Sequence, residues 1–176
     1  MKTFRVIAGI IMVIVCSFSI AHAVPYNVAQ GASVSLTGNF FTEYVDWSTA
    51  YPDGSPASQA LIDSIVDGVF LPENTQWDQN TLWWDEHDQT QKTVTIDLGQ
   101  DFAISSFLVQ ADDNDTYLIS YWNQTANEWT IINQFGSWGM TTRPEYILTD
   151  TIITSQLSIT AGPGGDLWYS LSEIQA

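Results

Sequence analysis

An all-β sandwich of jelly-roll type, with about eight strands and a single short helix, is the fold this sequence predicts. Three observations carry it. Apolar residues recur with period two in several short runs, as a half-buried strand requires. Clusters of Gly, Asn, Asp and Pro separate those runs at close intervals. Only one stretch, Leu61-Ile62 with Ile65-Val66, shows the one-sided spacing of a helix.

The middle of the chain is the clearest part. Val94, Ile96 and Leu98 share one face of an extended run, Phe107, Val109 and Ala111 a second, and Tyr117, Ile119 and Tyr121 a third. Gly99-Gln100-Asp101 and Asp112 to Asp115 read as the turns between them, giving an antiparallel centre. Glu128 to Phe135 pairs back on Tyr117 to Trp122 across Asn123 to Asn127. Ile152 to Ala161 and Leu167 to Gln175 make two further strands around Gly162-Pro163-Gly164-Gly165. Near the entrance, Val34 and Leu36 mark a strand. Ser55-Pro56 reads as an N-cap with proline at the first helical position, opening a helix that ends at Asp67-Gly68. Val69 to Gln91 holds no period, and its Phe, Leu and Trp content predicts a long ordered loop.

Residues 1–23 combine a basic start (Lys2, Arg5), an apolar run and Ala21-His22-Ala23, the pattern of a cleaved signal peptide, which leaves Val24 to Ala176 as one domain. The only cysteine, Cys16, lies in that segment, so a secreted protein without disulfides is expected. All 20 acidic residues lie after it, with only Lys92 and Arg143 as bases. That balance excludes nucleic acid, which needs cations to neutralise phosphates, and favours neutral or cationic ligands. No membrane insertion is expected after cleavage. No cysteine nucleophile, His-rich metal spacing, phosphate loop or G-x-S-x-G elbow is present, so the domain reads as non-catalytic.

A helix ending in Asp67-Gly68, a tryptophan-containing loop, I-D-L-G at Ile96 to Gly99 and Y-S-L-S-E-I-Q at Tyr169 to Gln175 together resemble the discoidin-like, coagulation factor V/VIII type C domain. This is the galactose-binding-like jelly roll also seen in family-32 carbohydrate-binding modules. More narrowly, D-G-V-F-L-P-E-N-T-Q-W (Asp67 to Trp77), Q-A-D-D-N-D-T-Y (Gln110 to Tyr117) and G-M-T-T-R-P (Gly139 to Pro144) look like a bacterial branch often found in exported PEP-CTERM proteins. The resemblance implies binding of a glycan or another extracellular surface ligand. It also implies a structural calcium at Asp67, Thr75 and Glu173, oxygen donors of the kind that ion takes. The alternative is that Asp67 caps a turn and Glu173 accepts from a backbone amide.

For the ligand itself, aromatic faces and planar polar side chains are the groups that hold sugars. Trp83, Trp84 and Trp138 supply the first, with at most one of the adjacent pair exposed. His87, Asn114 and Arg143 supply the second. Arg143 is also suited to a bidentate pair with a carboxylate of Asp112 to Asp115, a structural role. That acidic run lacks the glycine and distal glutamate of an EF-hand. The rival function is a structural protein of an extracellular matrix, working through protein–protein contacts. It predicts buried tryptophans and an apolar patch elsewhere.

Overall fold

The computed structural model describes residues 26–42, 55–112, 114–135, 140–142 and 145–176. The expected signal peptide, Tyr51 to Gly54, Trp138 and Arg143 lie outside them. Ten strands and one helix are described: β1 (Ser33–Thr37), β2 (Phe41–Thr42), β3 (Ser55–Pro56), α1 (Gln59–Ser64), β4 (Leu82–Asp85), β5 (Thr93–Ala111), β6 (Tyr117–Asn123), β7 (Glu128–Phe135), β8 (Thr141–Thr142), β9 (Tyr146–Ala161) and β10 (Trp168–Gln175). Every pairing among them is antiparallel. One sheet runs β1-β5-β9-β6-β7 and the other β3-β2-β4-β10-β5-β8, so β5 belongs to both.

The alternation of the sequence decides what lies between the sheets. Val94, Ile96, Ile119, Leu157 and Ile159 point in from the first sheet. Leu82, Trp84, Val109, Ala111, Tyr169 and Leu171 meet them from the second, each almost or fully buried. The expected sandwich is the observed one. The β6–β7 hairpin matches the predicted pairing from Tyr117↔Phe135 to Asn123↔Glu128, and Val34 and Leu36 lie on β1.

Three expectations need correction. Gly99 does not reverse the chain. It adopts φ +78° while its N–H donates to Asp97 Oδ1 at 2.8 Å, and the register on β9 steps from Asp97↔Gln156 to Phe102↔Thr154. Because β9 runs beside both halves, the extra residues form a bulge within one 19-residue strand. The helix starts later than predicted. Ser55-Pro56 instead pairs with Phe41-Thr42 at the edge of the second sheet, where proline's missing N–H does no harm, and Ser58 is the cap, accepting from Leu61 N–H at 3.3 Å. Ile65 and Val66 follow the helix and are buried as expected; their carbonyls accept from Ile174 and Gly31 N–H, each at 2.8 Å. Finally, Val69 to Gln91 is not all loop, since Leu82–Asp85 forms β4 between β2 and β10.

What remains of that loop covers the outer face of the second sheet. Gln110, pointing away from the core, clamps Leu71 twice: its Oε1 accepts from Leu71 N–H at 2.8 Å and its Nε2 donates to Leu71 O at 2.9 Å. Ser170 Oγ donates to Trp77 O at 2.6 Å. Replacing Trp84 by alanine is expected to cost about 3–5 kcal/mol by urea denaturation, since the indole fills the space between Phe40, Tyr117 and Tyr169. Trp129→Ala, on the more exposed edge, should cost less, about 1 kcal/mol, mainly the edge-to-face contact of its indole with Trp122.

Candidate functional site

Antiparallel pairing brings the end of β4, the end of β5, the start of β6, the end of β9 and the start of β10 to one end of the sandwich. Three short loops meet there: 86–92, 112–116 and 162–167.

The first loop is fixed by its own charges. Lys92 is almost fully buried; its stem runs so close to Gly38 that a Cβ there would lie 2.6 Å from Lys92 Cγ. Its amine bonds Asp88 and, at 2.7 Å, Thr90 Oγ1. The Lys92 hydrogen bond, then those from Thr90, hold the Asp88 carboxyl well below the usual range. Lys92 N–H donates to Glu86 Oε1 at 3.0 Å, and Glu86 N–H donates to Leu167 O at 3.0 Å, which ties this loop to the third. His87 N–H donates to Asp85 Oδ1 at 3.2 Å. The His87 ring, about 29% exposed, then faces Trp168 with ring centres 4.9 Å apart.

The second and third loops are joined through a buried hydroxyl. Tyr117 Oη donates to Asp112 and accepts from Ser170 N–H at 2.8 Å. Burial, reinforced by the Asp112 charge, pushes that phenol well above its usual pKa. Gly162 N–H donates to Thr116 O at 2.6 Å, and Asn114 Nδ2 donates to Asp166 Oδ2 at 2.8 Å. Gly165, at φ +75°, lies so close over Asp115 that a Cβ would come within 1.5 Å of Oδ1. Tyr169 Oη donates to Gly162 O at 3.2 Å; burial and then the Asp115 charge push its pKa to about 12. Leu167 carries φ +73° and is 38% exposed, between Asp166 and Trp168.

The structure therefore places two of the predicted residues at this end, His87 against Trp168 and Asn114 against Asp166; the sequence reading missed both partners. A signal was available: antiparallel order puts the Gly162–Gly165 turn at the same end as Asp112 to Asp115. Trp83 and Trp84 are a correction. Both are fully buried, because β4 is a strand between two others. Their rings point to opposite sides, Trp84 into the core and Trp83 against Phe41, Trp77 and Trp168 under the outer loop. Neither offers a face to a ligand.

The predicted calcium residues lie away from these three loops. Asp67 Oδ1 accepts from Val69 N–H at 2.7 Å, a local turn. Glu173 is fully buried; Oε1 accepts from Gly68 N–H at 3.1 Å, whereas Oε2 has no hydrogen-bond partner. Desolvation, with the nearby Asp67 charge adding to it, raises its pKa to about 8. The Thr75 hydroxyl donates to Pro72 O at 2.6 Å. Among the described residues no three His, Cys, Asp or Glu side chains are grouped to hold a metal ion.

This architecture matches solved carbohydrate-binding modules at low identity. The family 32 module of NanJ from Clostridium perfringens, in complex with galactose, is 18% identical with a TM-score of 0.53, over 84% of this chain and 94% of that one. The chain has the discoidin-like, galactose-binding-like fold. The family 32 module of EndoD from Streptococcus pneumoniae is 12% identical with a TM-score of 0.55, over 85% and 97%. Chitosan-binding module 1 of a Paenibacillus sp. IK-5 chitosanase/glucanase is 12% identical with a TM-score of 0.53, over 86% and 98%. No protein-family model matches the sequence, and no curated protein matches it.

Gly165→Ala should loosen the loop end, because the added methyl displaces Asp115 and the left-handed backbone resists it. A melting temperature lowered by several degrees, with faster amide exchange confined to loops 112–116 and 162–167, is the expected outcome.

Proposed function

We propose that this chain is a secreted, non-catalytic module that binds a glycan through the loop end. The observation that carries this reading is the placing of two pairs at one end of the sandwich, His87 beside Trp168 and Asn114 bonded to Asp166, next to loops held by buried hydrogen bonds. An indole beside an imidazole offers apolar ring surface to sugar C–H groups, while an amide and a carboxylate serve hydroxyls. That solved modules of this fold are described in complex with galactose or as chitosan-binding supports the reading. Secretion rests on the signal-peptide pattern of residues 1–23.

Charge narrows the ligand. Asp85, Glu86 and Asp166 border the loop end, and Lys92, the one lysine or arginine among the described residues, is buried and bonded to Asp88. A neutral or amine-bearing sugar is accepted and a polyanionic one repelled. His87→Ala and Trp168→Ala should each weaken glycan binding by about tenfold or more by calorimetry, with stability nearly unchanged for the first. Uronic-acid polymers should give no heat. If both variants bind as the parent does, the loop end is not the site.

A second reading, the matrix assembly protein, is favoured by the burial of Trp83 and Trp84 and by exposed Trp129, Ile131, Ile147 and Ile153 on β7 and β9. Silence across the glycan panel, with self-association in sedimentation, would select it.

Calcium belongs to the proposal. Its fit rests on Glu173 Oε2, a buried acceptor without a donor, next to Asp67. A cation at Asp67, Glu173 and Thr75 would supply the missing counter-charge, with loop carbonyls completing the oxygen set. The folded-state pKa of Glu173 lies above its ordinary 4.5, so folding favours the protonated form. In chelator, the contribution of Glu173 to stability should therefore be full below about pH 4.5 and be lost as pH rises towards about 8. Calcium should remove that loss and raise the melting temperature at neutral pH. Glu173→Gln should reduce the pH dependence to the part that Asp78 contributes and abolish the calcium response. A chelator-insensitive melt in the parent protein would overturn the cation site.

A further inference from the structure

The outer face of the first sheet carries a second ordered feature. Alternation turns Val94, Ile119, Leu157 and Ile159 inward, so their neighbours face out, and the register sets Ser35, Thr95, Ser158 and Ser120 side by side on β1, β5, β9 and β6. Four hydroxyl side chains thus cross the sheet in one row, at the strand spacing of about 4.8 Å. Ile131 continues the row onto β7, and the neighbouring row ends in Trp122 beside Trp129. Every position in these rows lies among the described residues.

Two of the serines are sunk. Ser120 is 7% and Ser158 4% exposed, although both point away from the core. Larger side chains flank them along each strand, Leu118 and Trp122 around Ser120 and Gln156 and Thr160 around Ser158, so the row is the floor of a trough. Neither hydroxyl has a hydrogen-bond partner among the described residues, and neither oxygen is sealed from the outside. Side chains buried to this degree normally have a partner, so the floor keeps donor and acceptor capacity for a ligand. At the β7 end the Trp122 and Trp129 rings meet edge to face, with centres 5.5 Å apart and Trp129 40% exposed, which leaves indole surface beside the floor. Asp97 is the one ionisable residue in the hydroxyl row and the rows that flank it, in a chain with 20 acidic residues, and its Oδ1 already accepts from Gly99 N–H. A hydroxyl floor with an aromatic wall suits a polymer that has hydroxyl edges, C–H faces and no charge. One hydroxyl per strand also comes close to the repeat of one pyranose along an extended chain.

We propose that this face binds an extended, neutral, β-linked polysaccharide laid across the strands from Ser35 to Trp129. The site shares no residue with the loop end and stands independently of that reading.

The test is NMR titration of the purified chain with β-linked hexasaccharides of glucose, mannose and N-acetylglucosamine. At least one should shift the Trp122 and Trp129 indole N–H signals and the Ser120 and Ser158 amides, equally in the parent and in His87→Ala. The matching disaccharide, which spans only part of the row, should bind this face about tenfold more weakly or worse. Ser158→Tyr, which a strand accommodates and which raises a ring out of the trough, should abolish the face shifts and leave any His87 response intact. Trp129→Ala, on the sheet edge, should weaken face binding about three- to tenfold. The proposal is overturned if the face signals stay still with all three hexasaccharides, if disaccharide and hexasaccharide bind alike, or if Ser158→Tyr binds as the parent does. Trp129 signals that move with protein concentration and not with sugar would also overturn it and assign the face to self-association. Face shifts without any response at His87 or Trp168 would leave this site standing and remove the loop-end reading.

Discussion

One strand carries both sheets. β5 is paired by β1 over residues 93–97 and by β9 from Thr93 to Phe107, then by β10 and β8 over residues 108–111, so the two inner faces are held opposite each other by a continuous backbone. The bulge at Asp97 to Phe102, with Gly99 in a left-handed conformation, lies inside the β9 pairing; past Phe107 the strand bends over to the second sheet without a loop. Val94 and Ile96 before the bend and Val109 and Ala111 after it then face one core. In a chain whose only cysteine is Cys16, that shared strand performs the registration that a cross-link gives disulfide-bonded domains.

The same strand positions the loop end. Because β5 ends at Ala111 beside the start of β10, residues 112–116 arrive against Ser170, and Tyr117 can close a buried knot between Asp112 and the β10 backbone. Placing that hydroxyl in the core costs desolvation, but each of its hydrogen-bonding capacities has a partner, and the result is a rigid support. Asn114 and Asp166 sit above the knot; His87 is brought alongside by Glu86 bonding to Leu167 O. Recognition surface formed by loops on a fixed frame needs little ordering when a ligand arrives.

Much of the frame was legible in the sequence because alternation reports burial directly. The faces of Val94-Ile96, Tyr117-Ile119 and Leu157-Ile159 are as the pattern says, and so is the β6–β7 hairpin. What alternation does not report is connection. Gly99-Gln100-Asp101 has the composition of a reversal, and only the long partner strand β9 shows it to be a bulge. Leu82–Asp85 has aromatic residues on both faces, so no period appears, yet it is a strand because each face meets its own hydrophobic layer. For the same reason Trp83 and Trp84 looked available and are not. Asp166 and Trp168 were hidden by their setting beside a glycine-rich turn, whose place at the loop end follows only from strand order.

The outer layer over the second sheet obeys a different rule from the loop end. At the loop end, Asp88 and Asp112 each have a donor. Under the outer loop, Asp78 is fully buried with neither carboxylate oxygen hydrogen-bonded, and Glu173 is buried with one of two unmatched. Desolvation raises the pKa of both. Such groups persist only when a proton or a cation offsets the charge, because an ion left bare in a poorly solvated site is far more costly than its neutral form. The outer loop of an acidic protein therefore depends on its solution for counter-charge, whereas the loop end carries its own. The two halves of the molecule differ in the same way as the two kinds of ligand proposed for it: cation at the buried carboxylates, sugar where the polar groups are already balanced.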